Sequence, residues 1–245
     1  MFNKPFLELT HFAYTKSQKK FSNSDSIESN PYFIGFGNPD SDILFVGQEM
    51  AIDPLKNSVT LEMESYRNPE HWNTIIERKI SEINYSFSSK NAFLNPRKPY
   101  NIKATGTWQS YEKIVEKIKN LNLNQNLEFF QHCFVTELNT KTSKRQIGFK
   151  TCDERELIIK DKFYKGFPIT ILATGSYIEN KATIEMLFDV KHSKDDSDSQ
   201  KYKRFEVYYS QNKKRVLINT RQLSRFYFRR EEKDLYFQKI VNQVK

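Results

Sequence analysis

Three of the chain's seven glycines, Gly35, Gly37 and Gly47, fall within thirteen residues, inside the stretch P-Y-F-I-G-F-G-N-P-D-S-D-I-L-F-V-G-Q-E-M-A-I-D-P from Pro31 to Pro54. Glycine serves where the backbone takes torsions closed to other residues or approaches a ligand closely. Asp42-Ile43-Leu44-Phe45-Val46 reads as a short apolar strand, and Gly47-Gln48-Glu49 as the turn that ends it. A strand ending in glycine, an amide and a carboxylate presents an acid at the carboxyl edge of an α/β sheet. The plainer alternative is a strand leaving the core through a polar turn.

The rest of the chain alternates in the same manner. Phe6 to Tyr14 has the spacing of a short amphipathic helix, followed by a polar spacer from Lys16 to Asn30. Asn68-Pro69 pairs an N-cap residue with a first-turn proline, and Trp72, Ile75, Ile76, Ile80 and Ile83 continue at helical spacing. Ser86 to Thr105 reads as a loop, and Gly106-Thr107 opens a helix striped by Trp108, Tyr111, Ile114, Val115, Ile118 and Leu121. Phe129 to Glu137 reads as a second strand, Asp153 to Phe163 as a helix, and Pro168 to Ala173 as a third strand. That strand turns at Thr174-Gly175-Ser176 into a helix ending near Phe188. Lys191 to Lys203 is a hydrophilic insertion. Arg204–Ser210 and Lys214–Asn219 form a hairpin about Gln211-Asn212-Lys213, and a charged helix begins near Leu223. Strands alternating with helices predict an α/β fold, a three-layer αβα sandwich with an open, mainly parallel central sheet. One domain spans 1–245, with insertions near 55–105 and 191–203.

Composition sets bounds on partners. A formal charge of +9 favours a polyanionic partner. Cys133 and Cys152 are the only cysteines, too few for a four-cysteine zinc or iron–sulfur site within the chain. The four histidines, His11, His71, His132 and His192, lack metal-ligand spacing, so no metal or other cofactor is implied. No apolar run reaches the roughly 18 residues of a membrane span, and the N-terminus lacks a signal-peptide apolar region. The expectation is a soluble cytoplasmic monomer.

In a parallel sheet the strand ends at Glu49, Glu137, Thr174 and Asn219 gather along one edge, where open α/β sheets bind ligands. Two carboxylates, the basic loop Asn139 to Arg145, and Arg221-Gln222 then border one crevice. There is no phosphate-binding loop, dinucleotide fingerprint or serine-triad spacing.

The run G-F-G-N-P-D-S-D-I-L-F-V-G-Q-E, Gly35 to Glu49, resembles the first motif region of the uracil-DNA glycosylase superfamily. Its lead-in and F-V-G turn are similar to the family's iron–sulfur branch, and its G-Q-acid ending to the branch that reads G-Q-D-P-Y. The later segments follow in a similar order: G-T-W-Q-S-Y-E-K-I, C-F-V-T-E-L-N-T-K, I-T-I-L-A-T-G and R-V-L-I-N-T-R-Q-L-S. The resemblance spans roughly Pro31 to Phe226. It implies a uracil-DNA glycosylase-like fold and hydrolysis of the N-glycosidic bond of a base flipped out of DNA, in repair or in defence against modified foreign DNA.

By that resemblance Glu49 is the water-orienting acid, one methylene longer than the family's aspartate, and Gln48 is the neighbouring amide. Tyr100 or Phe93 stacks on the base. The residue that reads the base is Glu137 or Asn139, depending on the alignment of Thr136. An asparagine can accept and donate, whereas a carboxylate only accepts, so Glu137 in that role implies a cytosine-like or otherwise modified base rather than uracil. The last motif lacks the family's histidine, whose position falls at Arg221 or Asn219. Leu223 matches the wedge that fills the hole left by a flipped base, next to Ser224. Lys141, Lys144, Arg145 and Arg225 are the candidate phosphate contacts. The rival expectations are a nucleic-acid-binding protein that has lost the chemistry, and an N-glycosidase acting on RNA or nucleosides.

Overall fold

A computed structural model of the protein describes residues 2–22, 29–48, 65–78, 106–123, 128–139, 152–175, 177–178, 180–198, 205–223 and 230–244. In chain order the elements are α1 (Lys4–Phe21), β1 (Phe36–Gly37), β2 (Ile43–Gly47), α2 (Asn68–Glu77), α3 (Gly106–Lys119), β3 (Phe134–Glu137) and α4 (Asp153–Ile159). They continue with β4 (Ile169–Leu172), α5 (Lys181–Phe188), β5 (Lys191–Asp198), β6 (Phe205–Tyr209), β7 (Val216–Asn219) and α6 (Arg230–Asn242). The strands form one seven-stranded sheet in the order β1-β3-β2-β4-β7-β6-β5. Its centre, β3-β2-β4-β7, is parallel, while β1, β6 and β5 run antiparallel to their neighbours.

Helices cover both faces of the sheet. On one face Phe6 of α1 and Trp72 of α2 meet edge-on at 4.9 Å, and Phe6 reaches Phe134 of β3 at 6.0 Å. On the other face Tyr111 of α3 stacks on Phe45 of β2 at 4.2 Å. Phe45 and Phe134 lie on opposite faces because Phe134 is the register partner of Leu44, and side chains alternate along a strand. The parallel strands are buried almost throughout, as expected of strands covered on both sides.

Several element boundaries differ from the expectations. Helix α1 does not stop at Tyr14 but runs on to Phe21. Its polar end is held by tertiary contacts: Asn30 Nδ2 donates to Ser17 Oγ at 2.7 Å, and Lys20 pairs with Glu154 at 3.0 Å. Asn68 is not an N-cap. Its Oδ1 accepts from Ile34 N at 2.9 Å and Gly35 N at 3.3 Å, and its Nδ2 donates to Gly35 O at 3.0 Å. The strand expected from Phe129 begins only at Phe134, since Glu128–Gln131 is a 3-10 turn with Phe129 and Phe130 packed ring on ring. Helix α4 ends at Ile159, short of Phe163.

The largest correction is β5. The hydrophilic insertion begins as an edge strand, paired to β6 at Lys191–Tyr209, His192–Tyr208 and Ser193–Val207, with a register shift before Asp198–Phe205. An edge strand has no second neighbour to match, and charges with a bulge discourage pairing with other chains. The last helix is described from Arg230, and Leu223 lies in a turn ahead of it.

Candidate functional site

The carboxyl edge of the parallel strands is a straight row. Gly47 is the register partner of Glu137, Val46 of Leu172, and Leu172 of Asn219. Backbone bonds extend this pairing past the strand ends: Leu138 N donates to Gly47 O at 2.9 Å, Asn139 N to Gln48 O at 2.7 Å, and Ala173 N to Val46 O at 2.8 Å. Beyond the last rungs Thr220 N donates to Leu172 O, and Gly175 N to Thr220 O, both at 2.9 Å. Three turns therefore meet at Gly175, where a β-carbon would lie 3.4 Å from Gln222 N, 3.8 Å from Gln48 Nε2 and 4.0 Å from Arg221 Cα.

Side chains along this edge divide between the two faces. Glu137 points to the face carrying Tyr111, half-buried, and packs over the α-carbon of Gly47. Burial pushes the Tyr111 phenol well above its ordinary range, and the Glu137 charge adds to the rise. On the other face lies a belt of polar side chains, each at most 5% exposed: Gln48, Thr174, Asn219 and Glu206. Gln48 Nε2 donates to Thr174 O at 2.7 Å. Thr174 Oγ1 donates to Asn219 Oδ1 at 3.5 Å, and Asn219 Nδ2 donates to Glu206 Oε2 at 3.3 Å. Each member of the belt has a hydrogen-bond partner, as buried polar groups must.

Arg155 of α4 supports the end of β3 from below. Its fully buried guanidinium donates to Phe33 O, Glu137 O, Thr136 Oγ1 (3.0 Å) and Leu138 O (3.4 Å), and lies 5.6 Å from the centre of the Phe33 ring. Burial depresses its ionisation to about 10. A planar fork that reaches four acceptors on two segments fixes where the Glu137–Asn139 turn leaves the sheet.

Of the expected site residues, the structure brings Gln48, Glu137, Asn139, Asn219 and Arg221 to one edge. Asn139 is 1% exposed, whereas Glu137 is half-buried, so of the two base-reading candidates Glu137 is the more accessible. Arg221 is half-buried, and its N–H donates to Tyr236 of α6 at 3.4 Å. Leu223 faces inward. Its side chain is fully buried in the core, and its carbonyl accepts from Ser110 Oγ of α3 at 2.9 Å. A wedge has to stand clear of the protein to enter a duplex, and in this structure Leu223 does not. Glu49, Phe93, Tyr100, Lys141, Lys144, Arg145, Ser224 and Arg225 lie outside the described residues.

Two residues of the edge escaped the sequence reading. Arg155 could have been found, because it shares the buried helical face with Ile158 and Ile159 at i+3 and i+4. Glu206 could not, since one carboxylate in a strand of the hairpin carries no signal until β6 is placed beside β7. Among the described residues no group of three or more His, Cys, Asp or Glu side chains could hold a metal ion. No described helix is long and apolar enough to cross a membrane.

What this fold and edge define is an α/β protein with a mixed seven-stranded sheet, parallel at its centre and covered by helices. No protein-family model matches the chain, and no curated protein sequence does.

Proposed function

We propose that this chain is a DNA base glycosylase of the uracil-DNA glycosylase type, hydrolysing the N-glycosidic bond of a flipped-out base to leave an abasic site. The observation that supports this reading is the placement of the four strands among the segments on which the resemblance rests. The strands ending at Gly47, Glu137, Leu172 and Asn219 are neighbours, parallel, and end in one row. Ligands of open α/β sheets bind at such an edge.

Cleavage of the bond develops positive charge on the sugar and negative charge on the departing base. Glu49, which follows the anchored Gln48 in the chain, is the carboxylate that stabilises the sugar and orients the attacking water. Gln48 holds the turn through its bond to Thr174 O. Arg221, permanently charged, balances the leaving base or a phosphate. Glu137 accepts only, so it selects a base with an exocyclic amino group. The test is an abasic-site assay on DNAs carrying a panel of modified bases, with Glu49→Ala as control. Base release by the wild type and none by the variant is the expected result. No release from any DNA overturns the reading, and release of uracil alone overturns the role of Glu137.

A second reading is favoured by the immersion of Asn219 and Leu223 in the protein. With the wedge position and one of the two histidine-equivalent positions occupied by buried side chains, the same edge suits a nucleic-acid-binding protein without chemistry. Such a protein shows salt-dependent DNA affinity and no abasic product.

A further inference from the structure

Glu206 stands outside the parallel centre of the sheet yet is bonded into its carboxyl edge. It is the register partner of Asn219 across β6 and β7, and only 5% exposed. Its Oε2 accepts from Asn219 Nδ2 at 3.3 Å and from the Tyr208 hydroxyl at 3.2 Å. Its Oε1 faces Lys181 Nζ, at the start of α5, at 3.4 Å. A carboxylate cannot donate, so it engages only the NH2 side of the Asn219 amide. The amide oxygen is thereby turned toward Thr174 Oγ1, 3.5 Å away, and the hydroxyl proton toward Asn219. Thr174 O in turn accepts from Gln48 Nε2 at 2.7 Å.

We infer that Glu206 is a positioning residue of the site, which fixes the orientation of the Asn219 amide and with it the polarity of the belt from Asn219 through Thr174 to Gln48. Without Glu206 nothing in this set of contacts distinguishes the two flipped states of the amide. In one of them the Asn219 NH2 meets the Thr174 hydroxyl, whose proton must then leave it. With Glu206 the flipped state sets two oxygens against each other. Lys181 supplies the counter-charge from a half-exposed position. The consequence for catalysis rests on the glycosylase reading; the orientation of the amide does not.

Two measurements test it on the full-length protein. Selective 15N labelling of asparagine follows the Asn219 side-chain NH2. In the wild type it should exchange slowly with solvent; Glu206→Ala should make it fast, whereas Glu206→Gln, which can still accept, should keep it slow. An Asn219 NH2 that is unchanged in Glu206→Ala overturns the inference. On a substrate the wild type cleaves, Glu206→Ala should lower kcat by about tenfold or more with KM nearly unchanged, and Glu206→Gln should restore most of it. An unchanged kcat overturns the positioning role, and an equal loss in both variants does so too, because it marks a merely structural defect. If the wild type releases no base from any DNA, the glycosylase reading falls, and the exchange measurement alone decides the orientation.

Discussion

The carboxylate of Glu137 occupies the space that a β-carbon on Gly47 would fill. The two are register partners on β3 and β2, tied again one residue on by Leu138 N to Gly47 O at 2.9 Å. The glycine of the G-Q-E turn is therefore explained by a neighbouring strand's side chain, which it allows to lie flat against the sheet edge. Arg155 holds the backbone under the same side chain through Glu137 O and Leu138 O. Glu137 is thus placed from two sides, by space in front and by a buried cation beneath.

Gly47→Ala should therefore act on Glu137 rather than on the strand. The backbone at Gly47 is ordinary extended strand, and the three nearest atoms to the new methyl among the described residues all belong to the Glu137 carboxylate. A displaced flexible side chain costs about 1–2 kcal/mol. In a Glu137→Ala background that obstacle is gone, so the cost of Gly47→Ala should largely vanish. Urea denaturation of the two single variants and the double variant measures this coupling. Full additivity would mean that the two residues do not share the space.

Gly35→Ala and Gly37→Ala should be far more damaging. Their φ angles are +144° and +93°, and a β-carbon would run into Val135 O and Cys133 O, which are backbone and cannot swing aside. Strained torsions of this kind cost of order 1–3 kcal/mol before any collision is counted. Each variant should lose more than about 3 kcal/mol or fail to accumulate as folded protein. Gly166→Ala is the matched control, with nothing within 4 Å of the added atom and an expected change near zero. Comparable losses at Gly35 and Gly166 would overturn this account.

These glycines mark how far the fold was legible in the sequence. Asp42 to Val46 was readable as a strand because its apolar run is uninterrupted, and the structure places Ile43–Gly47 at the centre of the sheet. The row of strand ends followed from alternation of strands and helices. Elements held by tertiary contacts rather than by pattern were not readable: the tail of α1 depends on Asn30 and Glu154, and β5 depends on pairing with β6. At the site, Gln48 and Glu137 could be proposed because they end apolar strands. Their separation onto opposite faces could not, because it depends on the β2–β3 register. The burial of Leu223 could not be read either, because a leucine in a turn reads the same whether it faces outward or fills the space beneath α3.

Arg155→Met should destabilise the protein even though methionine suits the apolar surroundings. The substitution leaves Phe33 O, Glu137 O, Leu138 O and Thr136 Oγ1 without their shared donor. Buried acceptors abandoned in this way cost about 1–3 kcal/mol each, and partial rearrangement should leave a net loss of roughly 3 kcal/mol. Arg155→Lys keeps a charge but cannot span acceptors on two segments, so it should recover less than half of the loss. Denaturant midpoints of the two variants test this, and a lysine as good as arginine would show that charge alone matters.

Alkaline pH should unfold the protein through its buried phenols. Burial raises the ionisation of Tyr111, Tyr164 and Tyr236 above the usual value near 10. In the unfolded chain these phenols lose their protons at about pH 10. Their contribution to stability is present in full below that pH and is lost as pH rises from there toward the folded-state values. Arg155 works in the opposite sense: its folded value is about 10 against 12.5 unfolded, so it favours the folded state increasingly as pH rises across that interval. Each group changes stability by at most about 1.4 kcal/mol per pH unit, so three phenols outweigh one guanidinium. The denaturant midpoint should fall between about pH 9 and about pH 11, and part of the phenolate absorbance should appear only as structure is lost. A midpoint that rises over this range would show that these tyrosines ionise without unfolding.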